Sequence, residues 1–594
     1  MKFRTWLWRC MCISVVMSAG YAAVPPNHDD EPRDYDEGDL QVLQDIIDLN
    51  DLTLDPLELG EQIWSNDRLV YLNMSGNSAF ELTQLPESMG NLEQLLELAL
   101  EENALTELPT SLGNLIQLGG LSVRHNQLTS LPDELENLTA LMSLDVAYNG
   151  LLAIPENLDS LSLLLIMDLS HNQISDLPTS IGSLSSLFSL DVSHNQIIEY
   201  PEALSQIPSL GWLDVSWNLI TDIPASITQN TGLQNLDVSG NQLTEFPEGM
   251  ETFNQLYTFK CQHNQLTELP YSLPWATTLN FIDISENMIG YLPYGFDLLQ
   301  DLTRLNLAEN EFTQLPLAIT LLSQLESLDL SGNQIESIPD GLWTLPMLRN
   351  LYLHGNQIQN LSENLGILVS LEKLDVSENP ISVLPASINY LTNLIELHVS
   401  DCELSELPDV WDGLTGLYFL DVSDNFLFQL PDDIGNLTSL LVLDLSGNFL
   451  NTIPVTMGEL ESPWILYLGD NSLFCYDGEM IIENIPDFLL NSGYTLVDGL
   501  YQQDCSIAGC TDAQAWNYSH DFIVEDGSCI YLMTGDVNLD QTTDVLDIVL
   551  IVSIIINDED PSEMQLLTGD INSDGSLNVL DVVLIVQLIL NEGY

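Results

Sequence analysis

Leu141-Met-Ser-Leu-Asp-Val-Ala-Tyr-Asn149 decides the fold, because the same nine-residue phrase returns along most of the chain. Leu144 and Val146 alternate with Ser143, Asp145 and Ala147, so the two sets face opposite sides of a short strand. Asparagine closes the phrase at Asn103, Asn126, Asn149, Asn172, Asn195, Asn218, Asn241, Asn264, Asn287, Asn310, Asn333, Asn356 and Asn379. Cys402 takes the next place, and Asn425, Asn448 and Asn471 follow, every step being 23 residues; Asn77 precedes the series by 26. One such unit cannot close its apolar face alone. Parallel stacking of neighbours buries that face continuously and leaves the second set on a concave surface. The asparagine is short and both donor and acceptor, so it serves backbone groups where the chain leaves the strand; it is framework, not a site.

Six residues after most of these asparagines stands proline, from Pro109, Pro132, Pro155 and Pro178 to Pro454, with Ser362 an exception. Proline there fits the opening of a short helical turn on the convex side. The phrase L-x-x-L-x-L-x-x-N resembles the leucine-rich repeat family, in which Cys also stands at the asparagine position. The resemblance covers roughly residues 69–473. It implies an α/β solenoid, a horseshoe of about 18 repeats with a parallel concave sheet.

The chain has 594 residues, 89 Asp+Glu against 10 Lys+Arg, and a formal net charge of −79. That sign repels phosphate backbones and anionic headgroups, which excludes nucleic acid and membrane surfaces as partners. Lys2, Arg4 and Arg9 precede an apolar run from Cys10 to Met17 and then small residues, so residues 1–23 read as a secretory signal. The run is far short of the roughly 20 residues a membrane span needs, and export to an extracellular or cell-surface location is expected. Residues 24–68, with Leu40, Leu43, Ile46 and Ile47 in helical spacing, read as an acidic linker and N-terminal cap. Residues 474–508 read as the C-terminal cap. Cys475, Cys505, Cys510 and Cys529 cluster, which in an oxidising compartment suggests two disulfides. Cys475–Cys505 with Cys510–Cys529 is the simplest of three pairings.

The central strand position of each repeat forms a column on the concave face. It reads Asp145, Asp168, Asp191, Asp214, Asp237, Lys260, Asp283, Asn306, Asp329, Tyr352, Asp375, His398, Asp421, Asp444 and Tyr467. The carboxylates suit cations or sugar hydroxyls; equally, they are framework that bonds to neighbouring strands. Trp212, Phe281, Tyr352, Phe419 and Tyr467 face the same side, with Trp217 at the strand's exit beside Asp214's strand. Exposed aromatics mark surfaces for protein or glycan ligands. No nucleophile, base and orienting group recur together, His398 stands alone, and no phosphate-binding glycine loop appears, so no enzyme activity is expected.

Residues 509–532 contain Gly-Cys-Thr-Asp, Asn-Tyr and Asp-Gly-Ser-Cys, resembling a small module near the C-termini of secreted, mostly marine bacterial proteins. Residues 536–547 and 570–581 then repeat one pattern 34 positions apart. Oxygen-bearing side chains stand at Asp536, Asn538, Asp540, Thr542, Asp544 and Asp547, and again at Asp570, Asn572, Asp574, Ser576, Asn578 and Asp581. Calcium, a hard cation, takes such oxygen ligands, which gives two expected sites. Gln541 replaces the glycine that eases the turn of the first loop. The closing Asp, and a helix after each loop with none before it (Ile548–Ile556, Val582–Leu590), make residues 533–594 resemble the type I dockerin family. That resemblance implies a small α-helical domain folded around calcium and docked onto a cohesin. Val545, Leu546, Val579 and Leu580 stand where partner choice is set in that family; they either form the docking surface or are buried in the domain. The expected function is a secreted binding protein tethered by its tail. The alternatives are a non-catalytic part of a polysaccharide-degrading complex and a calcium-stabilised structural adhesin.

Overall fold

The computed structural model describes residues 35–76, 80–450, 453–460, 465–469 and 471. Beyond these it describes only short stretches up to residue 525, then 535–537, 543, 545–557, 561, 563–572 and 576–592. The expected signal, the pairings Cys475–Cys505 and Cys510–Cys529, and nearly all of the 509–532 module rest on groups outside the described residues. The chain divides into two compact units, residues 1–328 and 329–594.

The first unit opens with helix α1 (Glu37–Leu49), whose first turn is capped by the Asp36 carboxylate accepting from the Gly38 and Asp39 amides. Its inner face, Leu43, Ile46 and Ile47, is buried. Buried Asp39 accepts two hydrogen bonds from Arg68, each 2.9 Å, and one from the Leu69 amide. This fixes the helix to a hairpin of β1 (Glu61–Ser65) and β2 (Arg68–Asn73). From β2 onward the strands of this unit's sheet pair in parallel. The strands are β3 (Glu97–Ala99), β4 (Gly120–Ser122), β5 (Ser143–Asp145), β6 (Ile166–Asp168), β7 (Ser189–Asp191), β8 (Trp212–Asp214), β9 (Asn235–Asp237), β10 (Thr258–Lys260), β11 (Phe281–Asp283) and β12 (Arg304–Asn306). Their register is in phase, so Asp145, Asp168, Asp191, Asp214, Asp237 and Lys260 align.

Most strands of the sheet are followed by a loop and a short 3-10 turn, whereas Ser143–Asp145 and Glu396–His398 lead to the next strand without one. The proline caps that turn from outside rather than forming its first residue: Pro109 is extended (φ −67°, ψ 142°) and Thr110–Asn114 turns after it. Where Ser362 replaces proline, its hydroxyl accepts from the Asn364 amide and caps by hydrogen bond instead. The core is leucine-dominated, as at Leu138, Leu141, Leu144 and Val146. Each such side chain withdrawn from water contributes about 1.5–3 kcal/mol.

The asparagines carry the framework role expected of them. In Asn195, Oδ1 accepts from the Ile174 amide of the preceding repeat. Its amide donates to the carbonyls of Leu169, Val192 and Ser193. Cys402 reaches the corresponding carbonyls of Val376 and Ser400 at 3.5 Å. It offers no carboxamide oxygen, and the Ile381 amide turns to the Asn379 carbonyl.

The second unit continues the pattern with β14 (Asn350–Tyr352), β15 (Lys373–Asp375), β16 (Glu396–His398), β17 (Phe419–Asp421), β18 (Val442–Asp444) and β19 (Ile465–Tyr467), while β13 (Ser327–Asp329) lies at the division. A last parallel strand, Thr495–Val497, pairs with β19. Near the C-terminus come helices α2 (Val545–Asn557), α3 (Glu563–Gly569) and α4 (Val579–Glu592). Two expectations are corrected here. The helices after the loops begin three residues early, at Val545 and Val579, and at α4 Asn578 caps the start by accepting from the Leu580 amide at 2.9 Å. A short helix, α3, does precede the second loop. No helix among the described residues is long and apolar enough to cross a membrane.

Candidate functional site

In the aspartate column, the local backbone claims one carboxylate oxygen. Oδ1 of Asp168 accepts from the Ser170 amide (3.0 Å) and hydroxyl (2.6 Å), and Asp214 is bound likewise by Ser216. The framework role is therefore met within the same repeat, two residues on, and not by the neighbouring strand as the sequence suggested. The other oxygen faces cations where the chain supplies them. Asp145 Oδ2 lies 3.9 Å from Arg124, Asp237 Oδ2 lies 3.2 Å from Lys260, and in the second unit Asp375 Oδ2 lies 3.3 Å from His354. Burial, with the adjacent charge of Asp168, pushes Asp145 up to about 7. Burial raises Asp444 to about 6, despite hydrogen bonds from Ser446 that oppose it. At Asp375 burial is outweighed by hydrogen bonds from His354 and Ser377, and the carboxyl is held below its ordinary range.

Beside the column runs a feature not anticipated from the sequence. The residue just before the framework asparagine is aromatic in six repeats of the first unit: His125, Tyr148, His171, His194, Trp217 and His263. All six adopt left-handed backbone, φ 53–58°. Successive rings stack, with centroids 4.2, 3.9, 4.0 and 5.6 Å apart from His125 to Trp217. Trp217 then spans Gly240, which has φ 60° and no room for a Cβ, to meet His263 at 5.0 Å. Burial lowers His125, His171 and His194, and the adjacent His194 helps bring His171 to about 4. The signal was present as aromatic side chains at 23-residue spacing, but it lay on variable positions that the repeat phrase ignores.

Of the aromatic residues singled out from sequence, Trp212 and Trp217 lie along β8 and its exit with Asp214, and Trp217 is 46% exposed. Phe188, also exposed, lies across Gly211 beside Trp212. Phe281 is half-buried, and Arg304 sits 4.4 Å above its ring. Tyr352, Phe419 and Tyr467 are half-buried on separate strands of the second unit, with His398 stacked on Phe419. They do not gather into one cluster.

At the C-terminus, Asp547 and Asp581 are completely buried and Asp536 nearly so. Asp547 accepts from the Val537 amide at 2.7 Å, and Asp581 from the Asn578 amide at 3.0 Å. Each carboxylate thus ties the first turn of a helix to its loop. The 34-residue duplication is visible in the packing: Val537, Ile551 and Ile585 form one core with Ile548, Ile555, Ile571, Val582 and Ile589 around it. Residues 533–594 contain no Lys, Arg or His, and no Lys or Arg occurs anywhere after Lys373. Buried carboxylates in a segment without basic side chains suit a cation from solution, and the donor set, oxygen alone, fits calcium. Among the described residues no three His, Cys, Asp or Glu side chains gather as a metal cluster. Asn538, Asp540, Thr542, Asp544 and Asp574 lie outside them. Leu546, Val579 and Leu580 are exposed, as are Val549 and Val583 beside them. Between the two alternatives for these positions, the surface one describes Leu546, Val579 and Leu580.

The Leucine rich repeat family matches residues 139–197 and 300–358, and the Dockerin type I domain family matches residues 534–590. The chain carries leucine-rich repeats and a type I dockerin domain. No curated protein sequence matches it. Among solved structures it resembles a leucine-rich repeat protein of Leptospira interrogans (TM-score 0.52, 28% identity, covering 71% of this chain and 95% of that one). It also resembles the Arabidopsis receptor kinase HAESA, solved in complex with a peptide hormone and a co-receptor (TM-score 0.55, 28% identity, 73% and 74% covered). A third resemblance is to a TDR receptor (TM-score 0.56, 25% identity, 68% and 76% covered).

Proposed function

We propose that this is an extracellular, non-catalytic binding protein. Its repeats recognise a protein partner, and its dockerin domain, loaded with two calcium ions, attaches it to a cohesin. The observation that carries this reading is the pair of wholly buried aspartates, Asp547 and Asp581, in a segment devoid of basic residues, beneath an exposed apolar surface. Asp536, Asn538, Asp540, Thr542, Asp544 and Asp547 would hold one ion; Asp570, Asn572, Asp574, Ser576, Asn578 and Asp581 would hold the other. Calcium supplies the positive charge that lets these carboxylates share a small volume. Leu546, Val549, Val579, Leu580 and Val583 repeat at the 34-residue offset, which supports a docking surface present in two near-equivalent copies. The protein-binding role of the repeats is supported by the exposed Phe188 and Trp217 and by the peptide bound to the HAESA relative.

The test is digestion of the full chain by chymotrypsin or subtilisin with calcium and with chelator. Protection of residues 535–592 by calcium, and calcium-dependent capture on a panel of immobilised cohesins, is the expected result. A tail cut equally fast in both conditions would refute the calcium-loaded domain. Loss of capture without loss of calcium protection would refute only the attachment partner.

A further inference from the structure

The first unit holds an open, polar groove along the edge where β10, β11 and β12 begin. Its volume is about 480 Å³, within the range of small-ligand sites. Two rows of side chains line it, each stepping by 23 residues. Tyr257, Asn280 and Thr303 directly precede the three strands; Thr278, Asp301 and Gln324 stand two positions earlier in the following repeats. We infer that this groove binds an extended, neutral glycan, with one sugar face on the Tyr257 ring and hydroxyl groups on Asp301, Gln324 and the neighbouring Arg304. The inference adds a ligand of another class to the protein partner proposed above and does not depend on it.

The floor of the groove is fixed by the fold. The Thr278 hydroxyl donates to the Leu256 carbonyl at 2.8 Å, and the Thr303 hydroxyl donates to Asn280 Oδ1 at 2.8 Å. Asn280 Nδ2 donates to the Asp301 carbonyl at 2.9 Å. The groups that rise from this floor are uncommitted. Tyr257 is 51% exposed, and Asp301 and Gln324 are exposed as well. Among the described residues, the Tyr257 hydroxyl, the Asp301 carboxylate and the Gln324 carboxamide have no partner, and no ring stacks on Tyr257. Arg304, next in the chain to Thr303, rests over Phe281, which itself adjoins Asn280. Of the described lysines and arginines, Arg304 alone forms no ion pair, although Asp301 is three residues away in a chain with 89 acidic residues. A donor-only group and an acceptor-only group thus stand unpaired beside one groove.

That combination selects the ligand class. A sugar hydroxyl both donates and accepts, so it serves guanidinium and carboxylate together while carrying no charge. An apolar peptide side chain would find no aliphatic lining. An anion would face Asp301, and a cation would face Arg304. Tyrosine offers an apolar ring face, suited to the C–H face of a sugar, and a polar tip beside it. The strands pair in parallel and in register. Equivalent positions therefore recur about every 4.8 Å, close to the advance of one unit in an extended glycan. A chain laid across the strands meets one repeat per sugar.

The variants borrow residues the chain already uses at the same places. Gln234 stands one repeat before Tyr257, Thr278 one before Asp301, and Ser327 one after Arg304. Tyr257→Gln, Asp301→Thr and Arg304→Ser therefore leave the fold in place. The full chain with calcium is run through gels containing a mixed-linkage β-glucan, a β-glucomannan, a linear β-xylan or, as the charged counterpart, polygalacturonate. Retardation by at least one neutral polysaccharide, unchanged as salt rises, is the expected result. Calorimetry with the matching hexasaccharide should show binding weakened about tenfold by Tyr257→Gln and by Asp301→Thr, and a few-fold by Arg304→Ser. The control, Tyr294→Glu, removes a 96% exposed ring from an outer turn and should leave binding unchanged. Retardation by none of the neutral polysaccharides, or by polygalacturonate alone, would overturn the inference. So would neutral-glycan binding that survives Tyr257→Gln and Asp301→Thr, or that is lost equally in Tyr294→Glu.

Discussion

The tripeptide Leu-Asp-Val closes a strand at Leu213-Asp214-Val215, where β8 ends at Asp214, and lies in the first turn of a helix at Leu580-Asp581-Val582. In the strand, the leucine and valine enter the core while the aspartate, half-exposed, hydrogen-bonds to Ser216 beside it. In the helix, the aspartate is the buried residue and Leu580 is exposed. The difference lies in the cation. The repeats carry Arg124, Lys260 and His354 against their own column, whereas the tail has no basic side chain to set against its carboxylates, which under the proposed function would be met by calcium. Identical local sequence is read in opposite senses because period 23 stacks strands, while a 34-residue duplication brackets two loops.

The widest separation between the regions should come from chelation. Removing calcium is expected to abolish the protease resistance and helicity of residues 545–592 and leave the repeats unchanged. Asp581→Ala should act in the same direction, costing the tail about 3–5 kcal/mol, since it leaves a buried cation site without a ligand. Thermal or denaturant unfolding with and without calcium measures this. If the repeats also melt on chelation, the contrast fails.

Within the repeats, Asn195→Ala removes four buried hydrogen bonds and should cost about 2–4 kcal/mol. Asn195→Cys should cost less, because Cys402 already serves in that place. Equal losses would show that the sulfur contacts contribute nothing. A smaller effect, below about 1 kcal/mol, is expected for Asp214→Asn, because the contact to Ser216 survives. A loss comparable with Asn195→Ala would move the column from recognition to framework.

The finest test is protonation. His171, lowered to about 4, should show its imidazole carbon resonance titrating well below the ordinary 6.5. Its folded pKa lies below the unfolded one, so the unfolded chain binds the proton first. The stability this group contributes is complete above pH 6.5 and is lost as pH falls from there toward 4. Asp145, raised to about 7, acts oppositely: folding is penalised above pH 7, and the penalty is relieved as pH falls toward 3.8. The two trends offset in a melting curve, so the resonance rather than the midpoint is the measurement. Titration of His171 at 6.5 would show that its stack does not exclude the charged form.

The solenoid and the twin loops were legible because both are written in fixed spacings of residues whose chemistry is unambiguous: Leu and Asn at 23, Asp and Asn at 34. The partner of each column aspartate was not legible. Whether Asp168 bonds across to the next strand or down its own to Ser170 depends on backbone direction at the strand exit. The ring ladder was legible in principle, since His171 and His194 are one repeat apart, but stacking follows only once both residues are known to share the left-handed turn. Helix α3 was hidden because Glu563–Gly569 is only seven residues long, too short for a helical period to stand out.

The lack of basic residues after Lys373 reaches beyond electrostatics. Trypsin-like proteases cut after lysine or arginine and therefore find no bond to cleave from there to residue 594, folded or not. Ordering by calcium, as proposed, would defend the tail only against enzymes that recognise apolar or aromatic residues, so the two protections would be independent. A tryptic digest would release residues 374–594 as a single piece, carrying the last repeats and the calcium loops together. It would report nothing about whether the ion was bound.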